Sequence, residues 1–246
     1  MSGLSGKVAL VTGGSRGIGA AIAERLARDG ADVAVTYSAS PEKAQAVVGR
    51  IEAAGRRGLA IAADATDGRA AQAAVERTVA EFGRIDILVN NAGVFPYGPF
   101  EEVTEAELDS VLAIHVRSSF LAAQAAARRM GQGGRIISIG SCLADYAGGP
   151  NMTLYVMTKA ALTGLTRGLA RDLGPRGITA NIIHPGPTDT DMNPADGPHA
   201  DGQRQHIALG HYGEASDIAA MAAHLAGEGG RWVTGASIAV DGGVNA

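Results

Sequence analysis

The sequence has few of the residues that mark several common classes of protein. It contains a single cysteine, Cys142, so it forms no internal disulfide and suits a reducing compartment; a packed neutral thiol is the expected role. The net charge of −4 is spread over interspersed charges, which leaves no basic face for nucleic acid or an anionic membrane. The apolar runs are too short to span a bilayer, and the first residues lack the apolar core of a secretory signal. We therefore expect a cytoplasmic protein with neither nucleic acid nor membrane as a partner.

Short apolar segments alternate with helical segments along the whole chain. The apolar runs at residues 7–12, 31–37, 58–63, 85–90, 134–140, 178–184 and 237–240 predict strands, and residues 20–28, 41–54, 67–82, 104–130, 153–173 and 214–226 predict helices. Continuous apolar runs are typical of parallel strands buried on both faces. The sequence therefore predicts an α/β fold, a single Rossmann-type doubly wound seven-stranded parallel sheet flanked by helices. We expect one domain over residues 1–246, with a substrate-covering loop at about 188–212.

A glycine-rich turn, residues 12–19 with the sequence TGGSRGIG, connects the first predicted strand to the first helix. Glycine permits positive φ and lets a pyrophosphate approach without meeting a Cβ. The free N–H groups and the positive dipole end of the next helix attract such an anion. A tight connection without a ligand is the alternative, but the place of the turn on the first strand of a doubly wound sheet favours a nucleotide.

Tyr155 and Lys159 are four residues apart on a predicted helix, and Ser141 lies upstream of them. Residues with this spacing share one helix face. We expect the lysine charge to favour tyrosinate and to lower the pKa of the phenol from about 10. A nearby serine hydroxyl would then hold a substrate oxygen while the phenol gives or takes its proton. The Tyr-x-x-x-Lys pattern alone also occurs by chance on amphipathic helices, so it gains weight only from the other motifs.

Taken in order, these motifs resemble the short-chain dehydrogenase/reductase family, close to its 3-oxoacyl-carrier-protein reductase branch. The likeness covers essentially the whole chain. It rests on the glycine-rich turn, Asp64, residues 90–93 (NNAG), Ser141, Tyr155 with Lys159, Pro185-Gly186, residues 232–236 (WVTGA) and residues 240–243 (VDGG).

The resemblance implies a set of residues that bind a dinucleotide. Asp64 and Ala65 hold the adenine edge, with a simple helix cap as the alternative for Asp64, while Asn90 ties neighbouring strands together. Pro185, Gly186 and Thr188 close over the nicotinamide, and Lys159 also bonds its ribose. The full set is Gly13, Ser15, Arg16, Gly17, Ile18, Gly19, Tyr37, Ser38, Asp64, Ala65, Asn91, Ala92, Gly93, Tyr155, Lys159, Pro185, Gly186 and Thr188.

The charges near the second predicted strand favour NADP(H) over NAD(H). An NAD-selective site needs an acid at the end of this strand to bind the ribose 2′-hydroxyl, and residues 36–40 (TYSAS) contain none. Arg16 lies in the glycine-rich turn, where relatives place a cation against a 2′-phosphate, and a guanidinium suits phosphate geometry. A solvated surface arginine is the alternative.

His115 departs from the family's pattern, which has an asparagine here, five residues before Phe120. That asparagine holds a water in a proton relay that ends at the lysine. We expect the His115 imidazole, kept neutral by the Lys159 ammonium, to carry this relay. A packed structural histidine is the alternative. The remaining histidines show neither triad nor metal spacing: His184, His199, His206, His211 and His224.

The motifs predict an NADPH-dependent oxidoreductase that transfers hydride between nicotinamide and a small carbonyl or alcohol substrate, with Ser141, Tyr155, Lys159 and His115 as catalytic residues. Residues 188–198 also resemble a loop of the family's cyclic-di-GMP-binding regulators of biofilm dispersal, so a cyclic-di-GMP- or NADP-binding regulator with little turnover is the alternative. The resemblance further implies a homotetramer in which the helices beginning near Thr104 and Thr153 pair across a two-fold axis. The alanine-rich residues 122–127 would let these helices approach closely.

Overall fold

A seven-stranded parallel sheet forms the centre of the protein in a computed structural model that describes residues 3–246. Met1 and Ser2, which the predicted domain includes, lie outside the described residues. The strand order is β3-β2-β1-β4-β5-β6-β9, and every neighbouring pair is parallel. The strands of this sheet are β1 (Val8–Val11), β2 (Asp32–Tyr37), β3 (Gly58–Ala62), β4 (Ile87–Asn90), β5 (Arg135–Ile139), β6 (Thr179–Pro185) and β9 (Ser237–Val240). The predicted fold class is confirmed.

Helices cover both faces of the sheet, which is why its strands read as continuous apolar runs. The helices are α1 (Gly17–Arg28), α2 (Pro41–Ala53), α3 (Gly68–Phe82), α4 (Glu105–Leu112), α5 (Ser118–Arg129), α6 (Thr153–Leu173), α7 (Ala200–Arg204) and α8 (Ala215–Ala226). Ala9 and Val11 of β1 pack with α1, α2 and α8, whereas Leu10 points to the opposite face and packs with α3 and α5. Successive side chains of a strand point to opposite faces, so each core takes alternate residues.

The chain order reverses between β1 and β4, because the chain builds outward through β2 and β3 on one side and through β5, β6 and β9 on the other. In doubly wound sheets a ligand crevice opens at the carboxyl ends of the strands where this reversal occurs. The glycine-rich turn after β1 and residues 91–93 after β4 both lie at that point. The sheet therefore brings these two separate motifs together.

The predicted long helix over residues 104–130 is interrupted by a π-helical turn, Ala113–Arg117, between α4 and α5. Thr104 caps its start, since the Thr104 hydroxyl accepts a hydrogen bond from the Glu107 N–H. A π turn inserts one extra residue into an α-helix and often lies at a functional site. Here it contains His115, the position at which the sequence departs from its family's pattern.

Two further details differ from the sequence prediction. Residues 188–212 are not only loop: β7 (Thr188–Asp189) pairs in parallel with β8 (Gly213–Glu214), and α7 lies between them. The alanine-rich residues 122–127 are mostly buried inside the subunit, where α5 packs against α3, so they are not the surface through which helices of different subunits approach. Within residues 3–246, no helix is both long and apolar enough to cross a membrane.

Candidate active site

Helix α6 brings Tyr155 and Lys159 to one face, as the four-residue spacing predicts. The Lys159 Nζ lies 5.7 Å from the centre of the Tyr155 ring. Lys159 is only 5% exposed, and its Nζ donates a hydrogen bond of 3.1 Å to the Ile139 carbonyl at the end of β5. Burial lowers the pKa of Lys159 to about 8. The ammonium is thus fixed by the sheet edge.

Ser141 follows β5 and lies beside the phenol of Tyr155. A hydrogen bond from the serine hydroxyl lowers the pKa of that phenol, but burial acts in the opposite direction and is the larger effect, so the pKa rises to about 12. The expectation that Lys159 lowers the phenol pKa is therefore wrong for this structure. Removing the phenol from water disfavours tyrosinate more than the surrounding groups stabilise it. At neutral pH the phenol is protonated and can act as an acid.

His115 is 1% exposed, and both of its ring nitrogens bond to the protein. Nε2 accepts a hydrogen bond of 3.0 Å from the Val94 N–H, while Nδ1 lies 2.8 Å from the Thr158 hydroxyl oxygen. The Thr158 hydroxyl itself donates to backbone carbonyls of α6, so Nδ1 carries the proton and donates to it. Burial, and then the Lys159 ammonium, lower the pKa of His115 to about 3. The expected neutral imidazole is present, but its bonding pattern favours the structural alternative.

The glycine-rich turn requires glycine at particular points. Gly13 has a φ of +62°, and a Cβ added there would lie 2.9 Å from the Ala92 Cα. Asn91 braces the same turn, because its Nδ2 donates to the carbonyls of Thr12 and Gly13 at 2.9 and 3.0 Å. The Asn91 side chain is thus engaged with the turn, and the contact of Asn91 with a dinucleotide stays a prediction. Ala92 lies against Gly13 of the turn, and Gly93 lies beside His115 and Lys159.

A cavity opens between the turn and β3, and Asp64, Ala65 and Ala92 line it. Asp64 accepts two hydrogen bonds from Thr66, from its N–H at 2.9 Å and its hydroxyl at 2.8 Å, and these lower its pKa. Helix α3 is capped by Asp67 instead, so the helix-cap alternative for Asp64 is wrong. The remaining carboxylate oxygen of Asp64 is available to a ligand edge in this cavity.

The segment after β6 completes the groove. Pro185 and Thr188 are buried, and the Thr188 hydroxyl donates to the Gly186 carbonyl at 2.9 Å. A Cβ on Gly186 would meet the backbone of Asp241, so only glycine fits there. Further along, Thr190 contacts the glycine-rich turn, since a Cβ on Gly17 would lie 3.4 Å from its methyl carbon. Residues 188–190 therefore cross the groove from β6 to the start of α1.

Three charged side chains meet at the outer edge of this groove. Asp191 Oδ2 lies 2.8 Å from the Lys43 Nζ and 3.8 Å from the Arg16 Nη1. Lys43 belongs to the first turn of α2, directly after the segment that contains Ser38. The sequence prediction named Arg16, Tyr37 and Ser38 here but missed Lys43. A cation in the first turn of the helix after β2 was the available signal.

Aromatic side chains border the phenol on its open side. The Phe95 ring packs edge-on against Tyr155, with ring centres 4.7 Å apart, and stacks on Tyr97 at 6.2 Å. Phe95 and Tyr97 are 43% and 62% exposed, which is unusual for large apolar rings. The sequence prediction missed both. They follow residues 90–93 directly, and a cluster in a chain with only 4% aromatic residues was the signal that could have found them.

Other candidate groups take structural roles. Cys142 is buried, and burial raises the pKa of its thiol to about 11, as expected for a packed neutral thiol. His184 is buried under Ser141, with its Nδ1 2.8 Å from the Ser141 carbonyl oxygen. Asn90 donates weakly to the Ser119 carbonyl of α5 at 3.4 Å, so it joins the sheet to a helix and does not tie neighbouring strands together. Among residues 3–246, no cluster of side chains suits a metal ion.

Comparison with known proteins places this geometry among dinucleotide-binding oxidoreductases. Residues 13–245 match the family model described as enoyl-(acyl carrier protein) reductase. A short-chain dehydrogenase from Burkholderia cenocepacia, solved in complex with NADP, is 59% identical, with a TM-score of 0.98 over 99% of this chain and all of the other. A blue fluorescent protein from a metagenomic library, solved with NADPH, is 57% identical with the same TM-score and coverage. The cyclic-di-GMP-binding biofilm dispersal mediator protein of Escherichia coli is 41% identical over 98% of both chains.

Proposed function

The chain belongs to the short-chain dehydrogenase/reductase family of oxidoreductases, and from this premise we propose that it uses NADP(H) to reduce a carbonyl compound or to oxidise the corresponding alcohol. The observation that carries the proposal is the convergence of Ser141, Tyr155 and Lys159 beside a glycine-rich turn at the switch point of the sheet. Two solved relatives above 55% identity are complexes with NADP or NADPH, which supports this cofactor.

The residues of the groove fit a dinucleotide. Gly13, Gly17 and Gly186 let the segments that line the groove approach closely, because a Cβ on each would meet Ala92, Thr190 or Asp241. Asp64 and Ala65 border a small cavity beside the glycine-rich turn, and in our proposal the adenine edge lies next to them. Arg16 supplies a cation for a 2′-phosphate, and no acid follows β2 to hold a 2′-hydroxyl instead. When bound, the cofactor supplies or accepts the hydride.

Side chains of the protein supply the proton for the proposed reaction. In our proposal the Ser141 hydroxyl holds the carbonyl oxygen, and the Tyr155 phenol, protonated at neutral pH, donates its proton to that oxygen as the alcohol forms. The buried Lys159 ammonium stabilises the charge left on the phenol. We assign no proton step to His115, because both of its nitrogens are bonded within the protein.

The exposed aromatic side chains beside Tyr155 indicate the kind of substrate. Phe95 and Tyr97 offer exposed apolar rings next to the phenol, and exposed apolar surface in a concave site suits an apolar ligand. Aromatic pairs contribute about 0.5–1.5 kcal/mol beyond simple burial. We therefore expect ketones or aldehydes with an aromatic or bulky apolar group beside the carbonyl to be better substrates than small charged ones.

The deciding experiment is a panel of ketones, aldehydes and 3-oxoacyl thioesters, each tested with NADPH and with NADH by the absorbance of the reduced nicotinamide. We expect turnover with NADPH, fastest for aryl ketones or aldehydes. Calorimetry of both cofactors runs in parallel, so that cofactor binding and turnover are measured separately. A protein that binds NADPH but reduces no member of the panel would contradict the enzyme proposal.

A regulatory protein is the second candidate, because the 41% identical relative from Escherichia coli is described as binding cyclic-di-GMP. For a regulator we expect micromolar binding of cyclic-di-GMP and no turnover of the carbonyl panel. Titration of cyclic-di-GMP by calorimetry, with and without NADPH, distinguishes the two candidates.

We also propose a homotetramer. Phe120 on α5 and Met157 on α6 are 50% and 44% exposed, and both lie on the helices expected to pair across a two-fold axis. Trp232 is 94% exposed next to β9, the edge strand of the sheet. Large apolar side chains exposed on two separate surfaces favour association through both, as a tetramer with two kinds of interface requires.

A further inference from the structure

The segment that carries Ser141 leaves the sheet at the end of β5, and side chains from two distant parts of the chain hold it there. His184 of β6 lies beneath the segment, with its Nδ1 2.8 Å from the Ser141 carbonyl oxygen. Asn245, which follows β9, donates from Nδ2 to the next carbonyl along the chain, that of Cys142, at 2.8 Å. The backbone directly after the serine is thus held at two successive carbonyl groups.

The contact between Asn245 and Cys142 joins residues that are 103 positions apart in the sequence. The Asn245 residue is exposed, so it adds little to the apolar core. An exposed amide can bond to water instead, and a single hydrogen bond therefore changes the stability of a fold only modestly. The main effect of this contact is on the placement of the backbone after Ser141 and not on the overall stability of the protein.

Asp241 fixes the loop from which Asn245 extends, residues 241–245. Its two carboxylate oxygens accept hydrogen bonds from the N–H groups of Gly243, at 2.9 Å, and of Asn245, at 3.2 Å. The backbone of Asp241 packs against Gly186, where an added Cβ would lie 2.6 Å from the Asp241 Cα. The 241–245 loop is therefore held against the segment that follows β6, and Asn245 projects from a supported backbone.

The 241–245 loop also contacts the segment expected to cover the substrate. The Leu209 N–H donates to the Gly242 carbonyl at 3.1 Å. Gly242 has a φ of +66°, and a Cβ added there would lie 2.7 Å from a methyl carbon of Ile207. The loop therefore lies between the covering segment and the segment that carries Ser141, and it contacts both.

We propose that Asn245 is a positioning residue for Ser141, and that it acts through the Cys142 carbonyl to keep the serine hydroxyl beside the Tyr155 phenol. The inference rests on the proposed reduction, in which this hydroxyl holds the substrate oxygen. The Ser141 hydroxyl also accepts a hydrogen bond of 3.2 Å from the Leu143 N–H, so a shift of the backbone here moves the hydroxyl with it. A displacement of about 1 Å is enough to slow a reaction that depends on aligned groups.

The first test is kinetic. Asn245→Ala removes the donor without adding a charge, and kcat for carbonyl reduction should fall about two- to tenfold, the range expected for the loss of one hydrogen bond. KM should change less than kcat, because a misplaced hydroxyl loses most of its interaction in the transition state. The Kd of NADPH should stay the same. Asn245→Gln keeps an amide donor and should recover part of the lost kcat.

Cys142 provides a second readout that does not depend on turnover. It is the only cysteine of the chain, and it is 5% exposed, so a thiol reagent reaches it only when its segment opens. Dithiobisnitrobenzoate should modify Cys142 about two- to tenfold faster in Asn245→Ala than in the wild type, since one bond that closes the segment is lost. Asn245→Gln should react at a rate between the two.

Asn181→Ala is the matched control, because the Asn181 Nδ2 donates to the Val233 carbonyl at 2.7 Å, a bond of the same kind toward the amino end of β6. It should lower the free energy of unfolding but leave kcat and the thiol rate unchanged. A wild-type kcat or a wild-type thiol rate in Asn245→Ala overturns the proposal. Equal acceleration of the thiol reaction in Asn181→Ala also overturns it, because reactivity would then follow overall stability. A wild type that reduces no carbonyl compound contradicts the proposed function itself, which is a distinct result.

Discussion

At the scale of single residues, burial is the largest influence on the pKa of both the phenol and the ammonium of the site. The pKa of Tyr155 is raised to about 12 and that of Lys159 is lowered to about 8. A protonated phenol beside an ammonium is the arrangement needed to deliver a proton to a carbonyl oxygen at neutral pH. At neutral pH the site therefore holds the proton that the proposed reduction requires.

Tyr155→Phe removes only the hydroxyl that delivers the proton in our proposal. We expect carbonyl reduction to fall by about 10²- to 10⁴-fold, the usual contribution of a positioned general acid, while NADPH affinity stays nearly the same. Steady-state rates and calorimetry of the same preparation check both parts. Tyr146→Phe is the control, since it removes an exposed phenol that does not belong to the group of Ser141, Tyr155 and Lys159. Wild-type turnover in Tyr155→Phe would exclude this phenol as the acid.

His115 gives a pH dependence of folding stability. Its pKa is about 3 in the folded protein, whereas an unfolded histidine titrates near pH 6.5. Below about pH 6.5 the unfolded state binds a proton that the folded state does not, so stability is complete above that pH and falls as the pH is lowered. Between pH 7.5 and 5.5 we expect this histidine alone to cost about 1 kcal/mol of unfolding free energy.

Urea unfolding at the two pH values, compared with His115→Asn, isolates this contribution from that of other buried groups such as His184, whose pKa is also lowered. The variant should lose less stability than the wild type on acidification. Its rate of carbonyl reduction should keep the same acid limb, because the imidazole is neutral throughout that range. Equal losses of stability in both proteins would contradict the assignment of a buried neutral imidazole.

At the scale of elements, the strands were predictable because each is a short, mostly apolar run, and the central strands β1, β4, β5 and β6 are buried along their whole length. Helix α6 was predicted with its observed bounds, since Gly174 and Pro175 stop it. The π turn at His115 was not predictable, because inserting one residue changes the helical period only over a single turn. The β7–β8 pair escaped prediction for a related reason: strands of two residues carry no periodicity.

The residues of the candidate site likewise fall into a group that the sequence predicts and a group that it does not. Tyr155, Lys159, Ser141 and the glycine-rich turn lie in local motifs whose chemistry can be stated from the residues alone. Lys43 and Phe95 carry only weak local signals, and Asp191 meets Lys43 across 148 residues through a tertiary contact that no local pattern predicts. The expected sign of the Tyr155 pKa shift was wrong because sequence gives the neighbouring charge but not the degree of burial.

The glycine-rich turn offers a matched pair of substitutions. A Cβ on Gly19 would press on the Asn91 amide and on the Gly13 carbonyl, whereas Gly49, on the exposed face of α2, has open space around it. Gly19→Ala should destabilise the protein by about 1–3 kcal/mol and weaken both cofactors, since overpacking shifts the turn. Gly49→Ala should stabilise it by about 0.5–1 kcal/mol through helix propensity. Unfolding and cofactor titrations check both, and an unaffected Gly19→Ala would show that the turn tolerates expansion.

At the scale of the whole molecule, the exposed apolar side chains of α5 and α6 and of the β9 edge predict association. Light scattering coupled to size exclusion should give the mass of a tetramer. Phe120→Arg should disrupt one interface and reduce the mass to that of a dimer, because a buried unpaired charge is costly. Leu209→Arg replaces an exposed leucine on the loop over the groove and should leave the mass unchanged. A monomeric wild type would contradict the proposed assembly.

The nearly complete exposure of Trp232 has a spectroscopic consequence. It is the only tryptophan of the chain and precedes β9, so it lies at the amino edge of the sheet, whereas the groove opens at the carboxyl edge. Its emission should therefore be that of an indole in water when subunits are apart, and should shift to the blue when a neighbouring subunit covers it. Dilution followed by emission wavelength reads out assembly without any label. Because Trp232 and the groove lie at opposite edges of the sheet, the tryptophan emission should change little when the dinucleotide binds. Cofactor binding is therefore measured by calorimetry or by nicotinamide fluorescence.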